Sequence, residues 1–172
     1  MTKHVNIDWD ALGFGVIPGQ GLIPAAEMFV AEYKNGQWQE GEFRPYGPLS
    51  MSPAACVINY GQGIFEGMKA YRSRKDELLI FRPGENAKRF SRGASRIAMP
   101  PYPEEKFVVA VKECTRRNEA YVPPHGKGSL YLRPLLIGSG PTLLIKPPEE
   151  FTFLVYAAQR VVIFLVVRSR CA

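Results

Sequence analysis

The sequence predicts an α+β fold, a mostly antiparallel sheet with two packed helices. Three observations carry this. Short apolar runs alternate with period two and are joined by brief turn-rich connectors. Two neighbouring segments in the middle of the chain repeat instead at i, i+3/i+4. Strand-like runs then resume, so the order is strands, two helices, strands, without regular βαβ alternation. The 172 residues lie in the single-domain range of about 100–200.

Residues 1–25 hold several Gly and Pro and read as an irregular arm leading into strands. Between 26 and 50, Met28, Val30 and Glu32 alternate with Phe29, Ala31 and Tyr33. Asn35-Gly36 supplies the hairpin turn, because both residues tolerate positive φ. Trp38 restarts the return strand. The run AACVINYGQGIFEGMKAYR (54–72) reads as a strand, a glycine-rich bend and a second strand. Arg74–Asp76 makes a polar turn and ELLIF (77–81) a third strand.

Pro83 and Gly84 open a helix through about Met99, with Ala87, Phe90, Ala94 and Ile97 on its apolar face; Pro100-Pro101 stops it. A second helix runs from Pro103 to about Ala120, buried along Phe107, Val111 and Cys114. Its early acids and late arginines suit the helix dipole. The loop VPPHGKG leads to a strand over 129–138, and 151–157 forms another.

Composition narrows the function classes. A net charge of +6 favours anionic ligands, and with no run of five or more basic residues it does not point to nucleic acid. Cys56, Cys114 and Cys171 form neither a disulfide framework nor a zinc pattern, and read as reduced, partly buried thiols. His4 and His125 stand apart from any ligand cluster, so no metal is expected. The apolar stretch 151–167 is split by Gln159 and Arg160, short of the roughly 20 residues a spanning helix needs. Acids within the first ten residues argue against a signal or transit peptide and favour the cytoplasm, with a plastid or mitochondrion as the alternative for a longer N-terminus.

Two constellations could carry chemistry. Arg89, Arg92 and Arg96 share one helix face opposite Phe90, Ala94 and Ile97. A planar guanidinium fork matches two phosphate oxygens, but the same spacing equally describes a solvated basic face. Tyr131 and Arg133 alternate with Leu132 and so share one side of a strand. They read either as a carboxylate site or as a cross-strand pair at a sheet edge.

The blocks NYGQGIFEGMKAYR (59–72) and GKGSLYLRP (126–134) resemble the branched-chain amino acid aminotransferases, fold-type-IV enzymes that use pyridoxal phosphate. The resemblance covers about residues 5–156. It implies that residues 1–156 are the small N-terminal domain of the D-amino-acid-aminotransferase-like fold, with a divergent tail over 157–172. In the whole family member, an amino group passes from Leu, Ile or Val to 2-oxoglutarate, giving a branched 2-oxo acid and glutamate within a homodimer.

In this frame the resemblance assigns Arg89 to the cofactor phosphate. It gives Tyr131 and Arg133 to the substrate pocket, and Phe65 and Phe14 to its apolar lining. Tyr60 would reach into the partner subunit's pocket, and Tyr71 reads as a core aromatic. Arg92 and Arg96 stay surface charges, and Glu66-Gly67 is a signature pair without a role. None of the lysines matches the family's Schiff-base lysine, which the resemblance puts in a large second domain beyond Tyr156. The chain alone is therefore expected to be inactive, with pairing to a full-length subunit as the alternative role.

Overall fold

The computed structural model describes residues 23–144 and 146–160; Phe14, His4 and Cys171 lie outside them. Its centre is a pair of ten-residue strands, β8 (Ser129–Gly138) and β9 (Phe151–Arg160), antiparallel and in register from Ser129↔Arg160 to Gly138↔Phe151. On the β9 side lie β1 (Ile23–Pro24) and β2 (Glu27–Lys34); β2 also pairs with β3 (Gln37–Trp38) and β4 (Glu42–Pro45). On the β8 side lie β5 (Gly63–Phe65) and β6 (Met68–Arg72), and β6 pairs with β7 (Leu78–Ile80). Every pairing is antiparallel, as the alternating runs predict.

The turn between β2 and β3 has Asn35 at φ 54° and Gly36 at φ 77°, the positive pair a two-residue hairpin requires. Both faces of β2 are buried. Phe29 and Ala31 join the main core, whereas Met28 and Val30 pack with Leu154 in a second cluster. The main core is closed by the two helices, α2 (Pro83–Arg96) and α3 (Glu104–Arg117). Ala87, Phe90 and Ala94 from α2 and Phe107, Val111 and Cys114 from α3 meet Leu130, Leu132, Phe153 and Val155 of the sheet.

Tyr102 stacks on Phe153 with ring centroids 4.0 Å apart, and Phe90, Phe107 and Phe29 surround the same ring. Burial, reinforced by the Glu40 charge, pushes the Tyr102 phenol up to about 12. Burial likewise pushes the Cys114 thiol up to about 12, so this free cysteine packs as an apolar group.

Three differences from the sequence reading have physical causes. Cys56–Tyr60 is a short helix, α1, where a strand is expected. Gly61 caps it at φ 67°, and the Asn59 amide donates to the Pro53 and Ala55 carbonyls. Local capping thus overrides the β-branched pair Val57-Ile58. α2 stops at Arg96, because Ala98 turns to φ 54° and the Met99 amide returns to the Ala94 carbonyl. Strand β8 is interior, flanked by β9 on one side and by β5 and β6 on the other, so Tyr131 and Arg133 are not at a sheet edge. Strand β9 also runs on past residue 157, with Ala157 and Ala158 buried.

Asn118 joins the layers. Fully buried after α3, its amide donates to the carbonyls of Glu27 and Cys114, and its oxygen accepts from the Glu27 N–H. Asn118→Ala is expected to cost about 1–3 kcal/mol by stranding the two backbone groups of Glu27. Urea unfolding followed by circular dichroism measures it, and a variant within about 0.5 kcal/mol of the parent contradicts the assignment.

Candidate functional site

The site grows from a break in the sheet. The β5 ladder ends at Phe65↔Leu135 and the β6 ladder begins at Met68↔Leu132. Glu66 and Gly67 therefore oppose Arg133 and Pro134 outside either ladder. Proline, which has no N–H, is tolerated in a sheet where pairing is interrupted. The Pro134 carbonyl still accepts from the Glu66 N–H at 2.9 Å. Phe65 at the edge of this gap and Glu66 and Gly67 within it each take a different partner.

Phe65 lies under Arg133, whose guanidinium carbon is 4.2 Å from the ring centroid. The ring itself is 62% exposed, so this cation–π contact occupies an otherwise open aromatic face. Gly67 leaves room for Tyr131; a Cβ there would overlap the tyrosine hydroxyl. That hydroxyl accepts a hydrogen bond from Arg133 Nη2 at 2.7 Å. Arg133 Nε is buried without a hydrogen-bond partner among the described residues.

Glu66, between them, is 3% exposed. Its Oε1 accepts from Arg89 Nε at 2.5 Å; its Oε2 accepts from Arg89 Nη2 at 2.6 Å and from Asn86 Nδ2 at 2.8 Å. Burial alone would push this carboxyl up. The hydrogen bonds from Arg89 and Asn86, the Arg89 charge and the Gly67 N–H outweigh it and hold the group below its ordinary value. Arg89 shifts up, first through its hydrogen bond to Glu66 and then through that charge.

The fold thus gathers four of the sequence-assigned residues round one segment. Arg89 reaches it from the helical layer, and Tyr131 and Arg133 from the sheet, with Phe65 part of the segment itself. Tyr60 does not join them. It ends α1, 55% exposed, beside a cavity of about 580 Å³ lined by Cys56, Gln62, Ile97 and Leu144. Arg92 and Arg96 are exposed, as surface charges.

Tyr71 is not a core residue: at 43% exposed it faces a cavity of about 1060 Å³ along β6, with Lys69, Leu79, His125 and Ser129. Alternation on β6 puts Tyr71 on the side opposite the buried Ala70. Neither of these two cavities is lined by Arg89, Tyr131 or Arg133. The His/Cys/Asp/Glu side chains among the described residues form no group that could hold a metal, and no described helix is long and apolar enough to cross a membrane.

Glu66 and Asn86 are the residues that sequence reasoning left without a role. One signal was available: an acid inside a Gly- and aromatic-rich sheet block is seldom buried without a cation to pair with.

No protein-family model matches the chain. It is similar to branched-chain-amino-acid aminotransferase 6 of Arabidopsis thaliana, 48% identical over 157 residues, which are 91% of this chain and 42% of that protein. Chloroplastic branched-chain-amino-acid aminotransferase 2 of the same plant is 49% identical over 156 residues, covering 90% of this chain and 39% of the relative. Over nine-tenths of its length this chain is thus a relative of the branched-chain-amino-acid aminotransferases. In structure it is similar to the T.th. branched-chain amino acid aminotransferase complexed with N-(5'-phosphopyridoxyl)-L-glutamate. That match has a TM-score of 0.57 and 30% identity, over 78% of this chain and 41% of the other. The chain spans about two-fifths of the length of the family members it matches. Its fold is that of their small domain, and other relatives are named as chloroplastic or mitochondrial.

Two outcomes follow from this geometry. Gly67→Ala is expected to displace the Tyr131 hydroxyl and break its bond to Arg133, costing about 1–3 kcal/mol as an overpacked contact. Thermal unfolding together with the Tyr131 ring resonances checks it, and an unmoved ring with an unchanged melt opposes the reading. For Glu66, whose folded carboxyl lies below 4.5, the stabilisation is present above that ordinary value and is lost as pH falls through the folded one. The difference in melting temperature between the parent and Glu66→Gln is expected to hold near neutral pH and to shrink below about pH 4.5. A gap that does not vary with pH contradicts an ionised Glu66.

Proposed function

We propose that this chain forms the small-domain wall of the active site in a branched-chain aminotransferase. The reading assigns Arg89 to the phosphate of pyridoxal phosphate and Tyr131 and Arg133 to the carboxylate of the amino or 2-oxo acid. Phe65 lines the apolar side-chain pocket. The observation that carries it is the gathering of two guanidinium groups and a tyrosine hydroxyl round Phe65–Gly67. Arg133 Nε, buried without a partner among the described residues, suits an anionic ligand, and Arg89 keeps N–H donors beyond those that Glu66 takes. The residues present therefore fit the cofactor's phosphate and the substrate's carboxylate.

Pyridoxal phosphate, when bound, supplies an electron-withdrawing ring that makes the substrate's α proton removable. The residues of this chain bind and orient. Arg133 pairs with the carboxylate and, stacked on Phe65, cannot swing away without losing that contact. Tyr131 accepts from Arg133 and so holds that guanidinium beside the same anion. An exposed Phe65 face gives a Leu, Ile or Val side chain apolar surface, worth roughly 1.5–3 kcal/mol when such a side chain is fully buried. Substrates in this reading are branched-chain amino acids and 2-oxoglutarate, and the active assembly is a homodimer in which Tyr60 serves the partner's site. The relatives' names favour an organelle over the cytosol as the compartment.

Turnover belongs to the whole protein in this reading, and the 172-residue chain by itself is expected to form no glutamate. A second reading makes the chain an interaction partner of full-length subunits; Ile58 and Tyr60, more than half exposed on α1, favour it. One experiment addresses both. Full-length protein carrying Arg133→Gln is expected to show a KM for leucine and 2-oxoglutarate raised at least about tenfold, the loss of a charge-assisted bond. In the same study the chain is assayed alone for glutamate and co-expressed with a tagged full-length subunit. An unchanged KM removes the carboxylate assignment, glutamate from the chain alone removes the division of labour, and failure to co-purify removes the interaction reading.

A further inference from the structure

A carboxylate removed from water is costly unless its oxygens are hydrogen-bonded and its charge met. Glu66 satisfies both conditions through one helix. Asn86 and Arg89 stand three apart on α2, so their side chains leave the same face and close on the same carboxylate. The pairing is unequal. Glu66 is buried, with its side chain 3% exposed, whereas the Arg89 side chain is 68% exposed. The acid is thus the fixed member and the arginine the projecting one.

A guanidinium has five N–H donors. Glu66 engages one on Nε and one on Nη2, which leaves the second Nη2 donor and both on Nη1. One edge of the plane faces the carboxylate and the other stays open. The open edge retains the two-pronged geometry that matches a phosphate.

We propose that Glu66 is the positioning residue of the phosphate site: it locks the Nε–Nη2 edge of Arg89 so that the opposite edge meets a phosphate already oriented. The inference rests on the assignment of Arg89 to phosphate given above. Ordering one rotamer-rich side chain on binding costs a factor of roughly 2–10 in affinity. Glu66 removes that cost in advance, and Asn86 holds the second carboxylate oxygen so that the acid does not rotate out of plane. The Glu66 charge acts in the opposite sense, repelling an anion nearby. The sign of the effect of removing it therefore separates a positioning residue from a competitor.

The test uses the ¹⁵N-labelled 172-residue chain. The Nε–H signal of Arg89, assigned by its loss in Arg89→Gln, is expected to exchange slowly with solvent in the parent and fast in Glu66→Gln. Glu66→Asp is expected to restore part of the protection. Asn86→Ala, which keeps the Arg89–Glu66 pair, gives an intermediate rate and serves if Glu66→Gln fails to fold. Binding is read by titrating pyridoxal phosphate against pyridoxal; the difference between them is the share due to phosphate. Arg89→Gln is expected to abolish that share, and Glu66→Gln to lower it about 2–10-fold with the backbone spectrum otherwise intact. If Arg89→Gln abolishes it while Glu66→Gln leaves it unchanged or raises it, the positioning role is overturned and the phosphate assignment stands. An Nε–H as exposed in the parent as in Glu66→Gln also overturns the positioning role. If the parent binds both compounds alike, or Arg89→Gln changes nothing, the phosphate assignment falls and this inference falls with it.

Discussion

A buried carboxylate shapes the functional end of this domain. Glu66 sits where two short strands fail to join, and the low exposure of its side chain demands partners. The nearest source of cationic donors is the helix that closes the core. Satisfying Glu66 therefore fixes both the height of α2 above the sheet and the direction in which Arg89 leaves it. The neighbours of Glu66 follow from the same break: Phe65 becomes a platform for Arg133, and Gly67 becomes the clearance for the Tyr131 hydroxyl. One interruption in a sheet thus organises two basic groups and a phenol.

The rest of the sheet is built to hold that interruption still. Strands β8 and β9 pair without a break over ten residues, and one side of them is packed by aromatic rings from both helical and strand segments. Closely packed interiors transmit strain and resist shape change. A guanidinium on β8 is then as well placed as the core beneath it. The opposite side is less completely covered. There Leu135 and Tyr156 pack only partly against the smaller cluster, and Tyr131 and Arg133 remain half-buried. Tyr131 and Arg133 thus stand on the less covered side of the sheet, and Arg89 on the side that the helices close.

The two layers are also tied by contacts that do not involve Glu66. Asn118 clips the C-terminus of α3 to the start of β2 through backbone groups, with no charge involved. Trp38 donates to the Pro101 carbonyl and sets the loop between the helices against the hairpin. Neither contact touches the proposed site. Their part is to keep the helical layer from sliding, which would carry Arg89 away from Glu66.

Much of this was legible in the residues. Asn35-Gly36 announced its hairpin because few other pairs accept two positive φ angles. The apolar faces of α2 and α3 and the shared face of Tyr131 and Arg133 followed from periods of 3.6 and 2. Local geometry imposes those periods whatever the surroundings. The letters of 54–60 misled, since Val and Ile suggest a strand and only the Gly61 cap and the Asn59 amide make a helix there. Tyr71 misled as well: an aromatic in an apolar run promises burial, but which side of β6 is covered depends on where the helices land. By itself, then, the sequence determined most of the elements, their order and the faces that its basic side chains share, because these rest on covalent preference and short-range spacing. Tertiary structure alone decided that Glu66 would hold Arg89 and that Phe65 would carry Arg133, because those pairs lie 23 and 68 positions apart and meet only when the sheet and α2 are assembled.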